Sequence, residues 1–202
     1  AEGVTLLGEV LQAGARLLPS FPEKLSAQTR SALERLGVEV WVNSRVEAID
    51  ELGVQVSGAR IAARTVFWAA GVTASPAARW LGAEADAAGR VRVEANLSVA
   101  GLPEVFVVGD TAAVNAWNGQ PVPGLAPAAK QGGEYVARVI RARIAGRVAI
   151  PAFVYRHLGS MATIGRKAAV ADFGWLRLSG ASAWWLWGFI HVAFLVGLRN
   201  RV

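Results

Sequence analysis

The stretch Val105-Phe106-Val107-Val108-Gly109-Asp110 is a run of four apolar residues followed by a glycine and a carboxylate. Four consecutive apolar residues, three of them β-branched, are typical of a buried strand. Gly109 lets the backbone at the end of that strand come close to a ligand. Asp110 can then accept hydrogen bonds from ligand hydroxyl groups, or it can cap the turn that follows. The spacing by itself favours neither interpretation.

The sequence on both sides of this stretch predicts alternating strands and helices. Ser20-Phe21-Pro22-Glu23 fits a capping box, with Ser20 as the N-cap of a helix that Gly37 ends. A second helix, from Pro127 to Arg143 and ended by Gly146, carries one apolar face made of Ala128, Tyr135, Val136, Val139, Ile140 and Ile144. Further strands are predicted at residues 4–7, 38–43, 46–49, 54–56, 60–63, 65–70 and 91–93. This order is half of a dinucleotide-binding, Rossmann-like α/β domain.

The composition separates an ordinary globular body from an unusual C-terminal segment. The 202 residues are 53% hydrophobic and 18% charged, with a net charge of +6 and no cysteine. The absence of cysteine excludes a disulfide scaffold and thiol chemistry in this chain. No run of basic residues interleaved with aromatic residues is present, so nucleic acid is not predicted as a partner. His157 and His191 have no metal-site spacing and no carboxylate cluster, so neither a metal ligand nor a catalytic side chain is predicted.

The C-terminal segment has features of a membrane-associated helix. Residues 181–198 are an apolar run that contains three of the eight tryptophans, whereas about 20 apolar residues are usually needed to cross a bilayer. Tryptophan prefers the headgroup region, and basic residues near an apolar segment can meet anionic lipid. These basic residues are Arg166, Lys167 and Arg177 before the run, and Arg199 and Arg201 after it. Because the run shows little of the polar face expected of a helix lying in the membrane plane, attachment without crossing, a spanning helix and a buried core helix all remain open from these residues.

Several sequence strings together resemble the type II (non-proton-pumping) NADH:quinone oxidoreductases, flavoproteins of the FAD-dependent pyridine nucleotide-disulfide oxidoreductase type. The resemblance covers nearly the whole chain, and the joint order of the strings is more specific than any one of them. They are Arg16-Leu17-Leu18-Pro19-Ser20-Phe21-Pro22, Phe67-Trp68-Ala69-Ala70-Gly71-Val72, Val105–Asp110 as quoted above, LAPAAKQ at 125–131, GSMATIGR at 159–166, and the tail at 183–187 and 197–201.

The resemblance implies FAD and NAD(H) as cofactors and a membrane quinone as electron acceptor. Residues 1–72 are then the C-terminal part of the NADH-binding domain, 73–150 the returning part of the FAD-binding domain, and 151–202 the membrane-associated region. Members carry two glycine-rich loops that bind these cofactors. No such loop occurs in the 202 residues, so both are expected upstream of Ala1, and the chain is expected to be a C-terminal portion.

The resemblance also assigns site residues around two positions. Gly109 and Asp110 are expected to bind the flavin, Asp110 through the ribityl hydroxyl groups. A helix start at 126–131, with Ala126, Pro127, Ala128 and Gln131, is expected to place its positive end against the flavin ring, unless it is an ordinary helix start. Lys130 and Gln131 are the candidate quinone ligands. Many relatives carry a glutamine where Pro127 stands, and a proline side chain cannot hydrogen-bond a quinone carbonyl.

Three further positions are expected to meet NADH. Glu9 is the acid that could hydrogen-bond the adenosine ribose. Four apparently inserted residues displace it from Ala13 and Gly14, however, and put Gln12 in the adjacent place. Ala70 and Gly71 end a strand where nicotinamide and flavin meet in relatives, although plain packing at a strand end explains them equally well.

The resemblance further implies a peripheral protein on the cytoplasmic side of the cell inner membrane, docked through its tryptophan-rich C-terminal segment, and it allows a homodimer. Two other functions remain open from the sequence. One is a related flavoprotein reductase with another acceptor. The other is a non-catalytic remnant that only associates with membranes, which the missing glycine loops and the insertion near Glu9 would fit.

Overall fold

The computed structural model describes residues 8–12, 14–69, 71, 73–147 and 150–194. These residues belong to two compact units, one built from Ala1–Trp68 with Gly159–Val202 and the other from Ala69–Leu158. The elements in chain order are β1 (Gly8–Gln12), α1 (Glu23–Arg35), β2 (Val38–Val42), β3 (Val46–Asp50), β4 (Gly53–Val56), β5 (Ala59–Ala62), α2 (Ala77–Leu81), β6 (Val91–Arg92), β7 (Ser98–Val99), β8 (Leu102–Phe106), a 3₁₀ turn (Gly109–Thr111), β9 (Ala112–Ala113), α3 (Ala126–Ile144), β10 (Ser160–Gly165), β11 (Ala168–Asp172), β12 (Arg177–Ser179) and α4 (Gly180–Phe194).

The first unit begins with a strand–helix–strand motif. Strands β1 and β2 pair in parallel, and α1 connects them, as the sequence predicts. The predicted capping box is wrong, because Pro22 is the N-cap of α1 and no side chain caps the helix. Instead, the Phe21 N–H donates to the Leu18 carbonyl, and the Phe21 ring is buried with Leu25. Burial of that ring fixes the chain before the helix, and Ser20 is left exposed.

The antiparallel meander β3–β4–β5 follows, within a residue of the predicted strands. Val54 and Val56 of β4 are its buried apolar side chains. The predicted strand at residues 65–70 is wrong over 65–69, which form no strand. The side chains of Phe67 and Trp68 are 91% and 64% exposed, so this apolar run packs against no partner strand within the described residues. Ala70 and the predicted strand at 4–7 lie outside the described residues.

The C-terminal part of the first unit is a small sheet covered by a helix. Strands β10, β11 and β12 are antiparallel, and α4 packs on β11. The contact is made by small residues, because Ala183 of α4 and Ala169 and Ala171 of β11 are almost fully buried in one cluster. Alanine at each position allows the helix axis to lie close to the strands.

The second unit is organised around α3. Its buried face includes Ala128, Tyr135 and Val139, as predicted, whereas Ile140 and Ile144 are exposed and not part of that face. Ala142 takes the buried position one turn after Val139, because the helical period places 142 rather than 140 or 144 in line with it.

The strand predicted at residues 105–108 is shifted toward the N-terminus. Strand β8 ends at Phe106, and it forms an antiparallel hairpin with β7. Val107 is buried and its N–H donates to the Leu97 carbonyl, but Val108 is partly exposed. Asp110 therefore follows an extended segment rather than a buried strand, and Gly109–Thr111 is a 3₁₀ turn.

Candidate functional site

The turn Gly109–Thr111 presents the Asp110 carboxylate to solvent. Gly109 has φ +67°, a conformation that favours glycine, and it directs the chain into the turn. Asp110 is exposed, and no side chain caps the turn. The alternative that Asp110 serves as a helix cap is therefore wrong. Among the described residues, the carboxylate has no hydrogen-bond donor, so its oxygens remain available to a ligand.

Small residues let this turn lie directly against the start of α3. A Cβ on Gly109 would come within 3.2 Å of the Ala129 Cβ, and a Cβ on Gly124 within 3.2 Å of Asp110 Oδ1. Gly132 lies on the next turn of α3, where a Cβ would meet the Val108 Cβ at 3.4 Å. Because these three glycines have no Cβ, the turn and its Asp110 carboxylate can lie this close to the start of the helix.

The start of α3 offers fewer backbone donors than an ordinary helix N-terminus. Leu125 is the N-cap, and the N–H groups of Ala128 and Ala129 both donate to its carbonyl. Pro127 has no N–H group. Within this helix start, the Ala126 N–H is therefore the backbone donor that remains for a ligand. The first turn of α3 contains no acidic residue, so Asp110 of the adjoining turn is the carboxylate that lies beside the positive end of the helix dipole.

The Gln131 side chain is already used within the second unit. Its Nε2 donates to the Arg156 carbonyl at 2.9 Å, and its Oε1 accepts from the Arg156 N–H at 3.0 Å. This pair of bonds ties α3 to the segment at residues 150–158. The Tyr135 hydroxyl donates to the Pro151 carbonyl at 2.8 Å in the same segment. The structure thus gives Gln131 a positioning role that its sequence context did not indicate.

An aromatic cluster on this segment was missed by sequence reasoning. His157 stacks on Trp117 with ring centroids 4.9 Å apart, and the Tyr155 hydroxyl shares a hydrogen bond of 3.1 Å with His157 Nδ1. Tyr155 is buried, and that burial raises the pKa of its phenol. Trp117 and Tyr155 are 38 residues apart in the printed sequence, so no local spacing could have revealed the cluster.

The residues expected to meet NADH are only partly described. Strand β1 continues to Gln12, and Glu9 pairs with Glu39 inside the ladder. Gln12, rather than Glu9, therefore stands at the carboxyl end of the strand. Gly71 is exposed with φ +106°, and a Cβ there would meet none of the described residues within 4 Å. Its backbone conformation, not close packing, calls for glycine. Ala70 lies outside the described residues.

One side of α4 in the first unit is an exposed apolar stripe. Trp185, Phe189 and Val192 are 65%, 72% and 54% exposed, and their spacing places them on one face. His191 is exposed as well, and its Nδ1 lies 2.8 Å from the Trp187 carbonyl. Among the described residues, no helix has both the length and the apolar character to cross a membrane. Residues 195–202, which complete the apolar run and include Arg199 and Arg201, lie outside the described residues.

The α/β units, the exposed carboxylate after a glycine turn and the adjoining helix start define a portion of a nucleotide-dependent oxidoreductase fold. Comparison with known proteins is more specific. The chain belongs to the pyridine nucleotide-disulphide oxidoreductase family, whose model matches residues 4–133. The model of the NDH2 C-terminal domain matches residues 157–202.

Two relatives from Mycobacterium tuberculosis are named type II NADH:quinone oxidoreductase. The chain is 40% identical to Ndh over 96% of its own length, and 41% identical to NdhA over the same share. In both cases the match covers 43% of the relative, so the chain spans less than half the length of these curated relatives.

The fold matches that of a solved enzyme. The structure of NDH2 from Plasmodium falciparum in complex with NADH superposes with a TM-score of 0.79 at 17% identity. The match covers 96% of this chain and 55% of that protein. The predicted fold class and the predicted family are therefore confirmed.

Proposed function

We propose that the protein containing this chain is an FAD-dependent oxidoreductase that passes electrons from NADH to a membrane quinone. The proposal is supported by the names of the relatives and by one observation in the structure, the exposed Asp110 carboxylate held beside the start of α3. In this proposal residues 1–72 complete the NADH-binding domain, 73–150 complete the FAD-binding domain, and 151–202 attach the protein to the membrane.

The residues of the second unit fit a flavin in two ways. The oxygens of Asp110 can accept hydrogen bonds from the ribityl hydroxyl groups, since no described residue occupies them. The Ala126 N–H and the positive end of α3 can stabilise negative charge on a ligand placed against the helix start. When bound, FAD supplies the two-electron chemistry that accepts a hydride from NADH and reduces the quinone.

Replacing Asp110 tests the flavin assignment. In the full-length protein, Asp110→Ala should weaken FAD binding on the order of tenfold or more, because a hydrogen bond to a charged group contributes roughly 1.5–3 kcal/mol. Fluorescence titration of the apoprotein with FAD measures this. Glu104→Ala removes another exposed carboxylate of the same unit and should leave FAD binding unchanged. Equal FAD affinity in the two variants would contradict the assignment. A wild-type protein that binds no FAD would favour the non-catalytic alternative.

The two candidate quinone residues, Lys130 and Gln131, are expected to have different roles. Lys130 and Gln131 lie next to each other on α3, but both polar groups of Gln131 bond Arg156. We therefore assign Gln131 to positioning residues 150–158, and Lys130 stays the candidate for contact with the quinone. Lys130→Met should raise the KM for quinone and leave FAD content unchanged. An unchanged KM would remove Lys130 from the site. The NADH contacts of Glu9, Ala70 and Gly71 stay predictions, with Gln12 as the neighbour to test beside Glu9.

The membrane assignment is supported by the exposed stripe of Trp185, Phe189 and Val192 and by the match to the NDH2 C-terminal domain. In this proposal the protein is peripheral on the cytoplasmic side of the inner membrane. A reporter fused after Val202 should stay cytoplasmic, and a reporter on the opposite side would contradict the peripheral arrangement. A homodimer is the proposed assembly, which light scattering of the purified protein can test.

A further inference from the structure

The first unit contains a basic groove, and none of the proposed flavin or quinone residues lines it. It is formed by one face of α1, by the turn between β10 and β11, and by the start of α4. Its volume is about 530 Å³, far more than the roughly 30 Å³ share of a single water molecule. A groove of this size can hold a small organic group and not merely an ion.

The charge of the groove selects an anion. Lys24, Arg35 and Lys167 line it, and none of the described residues lining it is acidic. Within the described part of the chain these three side chains have no ion-pair partner, because the nearby Glu34 pairs with Arg30 instead. Three unneutralised cations converging on one groove favour a ligand with negative charge.

The polar groups of the groove indicate what else the ligand carries. Ser31 and Ser179 add hydroxyl groups to its wall. Gln28 also lines it and adds an amide group. Hydroxyl and amide groups beside the cations can hydrogen-bond neutral polar groups of a ligand. The fitting ligand therefore combines a negative charge with at least one hydroxyl group.

The position of the groove indicates where that ligand comes from. Gly180, the first residue of α4, lines the groove, and the apolar stripe of Trp185, Phe189 and Val192 lies further along the same helix. A phospholipid presents its headgroup and its acyl chains at such a boundary between charged and apolar surfaces. A soluble phosphate compound has no acyl chains that could contact the apolar stripe.

We propose that the basic groove binds the phosphate and hydroxyl groups of an anionic glycerophospholipid headgroup of the phosphatidylglycerol type. Lys24, Arg35 and Lys167 contact the phosphate, and the hydroxyl groups of Ser31 and Ser179 bond a headgroup hydroxyl. This inference rests on the proposed membrane attachment and deepens it, because it adds lipid selectivity to a docking mode otherwise set by apolar residues.

Vesicle flotation of the full-length protein tests the groove. Wild type should bind vesicles that contain phosphatidylglycerol more tightly than vesicles of phosphatidylcholine alone. Lys24→Gln with Lys167→Gln should reduce that preference roughly thirtyfold, since each basic residue near an anionic surface contributes about 1 kcal/mol. Arg45→Gln with Arg64→Gln makes the same charge change on exposed residues outside the groove and should keep the preference.

A variant that fills the groove distinguishes lipid binding inside the groove from attraction of lipid by surface charge in general. Ala27 is exposed on α1 and lines the groove, so Ala27→Trp fills the space and keeps every charge. It should lose the preference as the lysine variant does. An Ala27→Trp protein that keeps the preference would overturn the site. Soluble short-chain phosphatidylglycerol should bind wild type in calorimetry, and inorganic phosphate should not compete. Full competition by inorganic phosphate would instead make this a small-phosphate site and overturn the lipid assignment.

Vesicle binding distinguishes a wrong assignment of the groove from a wrong assignment of membrane attachment. The lysine variant should still bind phosphatidylcholine vesicles as wild type does. Trp185→Ser with Phe189→Ser should lose binding to both kinds of vesicle. Loss of only the lipid preference supports the groove, whereas unchanged binding by the aromatic variant rejects the attachment itself.

Discussion

Helices α3 and α4 have similar lengths, and each buries one face against its own unit, but their outer faces differ in chemistry. The outer face of α3 carries charged residues among its apolar ones, including Glu134, Arg138 and Arg141. The outer face of α4 carries Trp185, Phe189 and Val192 and no charged residue between Gly180 and Phe194. The local backbone is therefore the same, and the solvent-side residues alone distinguish a helix that faces water from one suited to lipid.

The buried faces differ as well. Helix α3 packs large side chains, with Tyr135 and Phe153 rings 5.4 Å apart, and it also anchors residues 150–158 through polar bonds. Helix α4 packs an alanine on two alanines. The α3 contact combines packing with specific hydrogen bonds, whereas the α4 contact depends on close approach of backbones. The α3 contact should therefore be weakened by loss of a hydrogen-bonding group, and the α4 contact by a larger side chain in place of an alanine.

The largest expected effect is on the outer face of α4. Trp185→Ser with Phe189→Ser should release the full-length protein from membranes, because burial of each aromatic side chain contributes about 2 kcal/mol. Together they predict a fall in membrane partitioning on the order of a thousandfold. Sedimentation of the protein with membranes measures the change.

Helix α3 supplies the matched control. Ile140→Ser with Ile144→Ser removes two exposed apolar residues at the same i, i+4 spacing. Partitioning should not change, because these residues stand among charged neighbours that keep that face in water. If both pairs release the protein equally, exposed apolar area in general, and not α4, determines attachment.

A smaller effect is expected at the buried face of α4. Ala183→Leu inserts a larger side chain where Ala183 and Ala171 are fully buried and should lower the free energy of unfolding by about 1–3 kcal/mol. Thermal unfolding of the full-length protein tests this. Ala181→Leu, at an exposed position of the same helix, should be neutral. Tolerance of leucine at Ala183 would mean that α4 does not pack tightly on β11.

The sequence predicted the elements whose signals are local. The α3 helix was predicted within a residue at each end, since Pro127 marks its start and Gly146 its end. The short strands around Gly53 and Gly58 were also found, because Gly58 lies in the turn between β4 and β5 and Gly53 begins β4 directly after the turn that follows β3. The strand at residues 65–69 was wrong because an apolar run forms a strand only beside a partner, no partner strand occurs among the described residues, and pairing is not a local property.

The candidate site was predictable only in part, for the same reason. The turn of Gly109 and Asp110 follows from six consecutive residues, and its exposure agrees with a ligand role. The bonds from Gln131 to Arg156 join residues 25 positions apart, and no periodicity reports such a contact. The basic groove likewise gathers Lys24 and Lys167 from opposite ends of the chain.

The smallest predicted effect concerns the polar anchor of α3. The Tyr135 hydroxyl donates to the Pro151 carbonyl, and Tyr135→Phe should cost about 1 kcal/mol of unfolding free energy near pH 8. Burial raises the pKa of Tyr135, an effect that nearby Arg138 partly opposes. A raised folded-state pKa means that this contribution is fully present below the unfolded value of about 10 and is lost as pH rises through the folded value. Chemical denaturation at a series of alkaline pH values should therefore show the difference between wild type and Tyr135→Phe shrinking above about pH 10.

Tyr155→Phe is the comparison for this prediction. The Tyr155 hydroxyl bonds His157, which is exposed and can hydrogen-bond water once that hydroxyl is removed. The loss of unfolding free energy should therefore be smaller for Tyr155→Phe than for Tyr135→Phe. A larger loss for Tyr155→Phe than for Tyr135→Phe would show that the aromatic cluster, rather than α3, anchors residues 150–158.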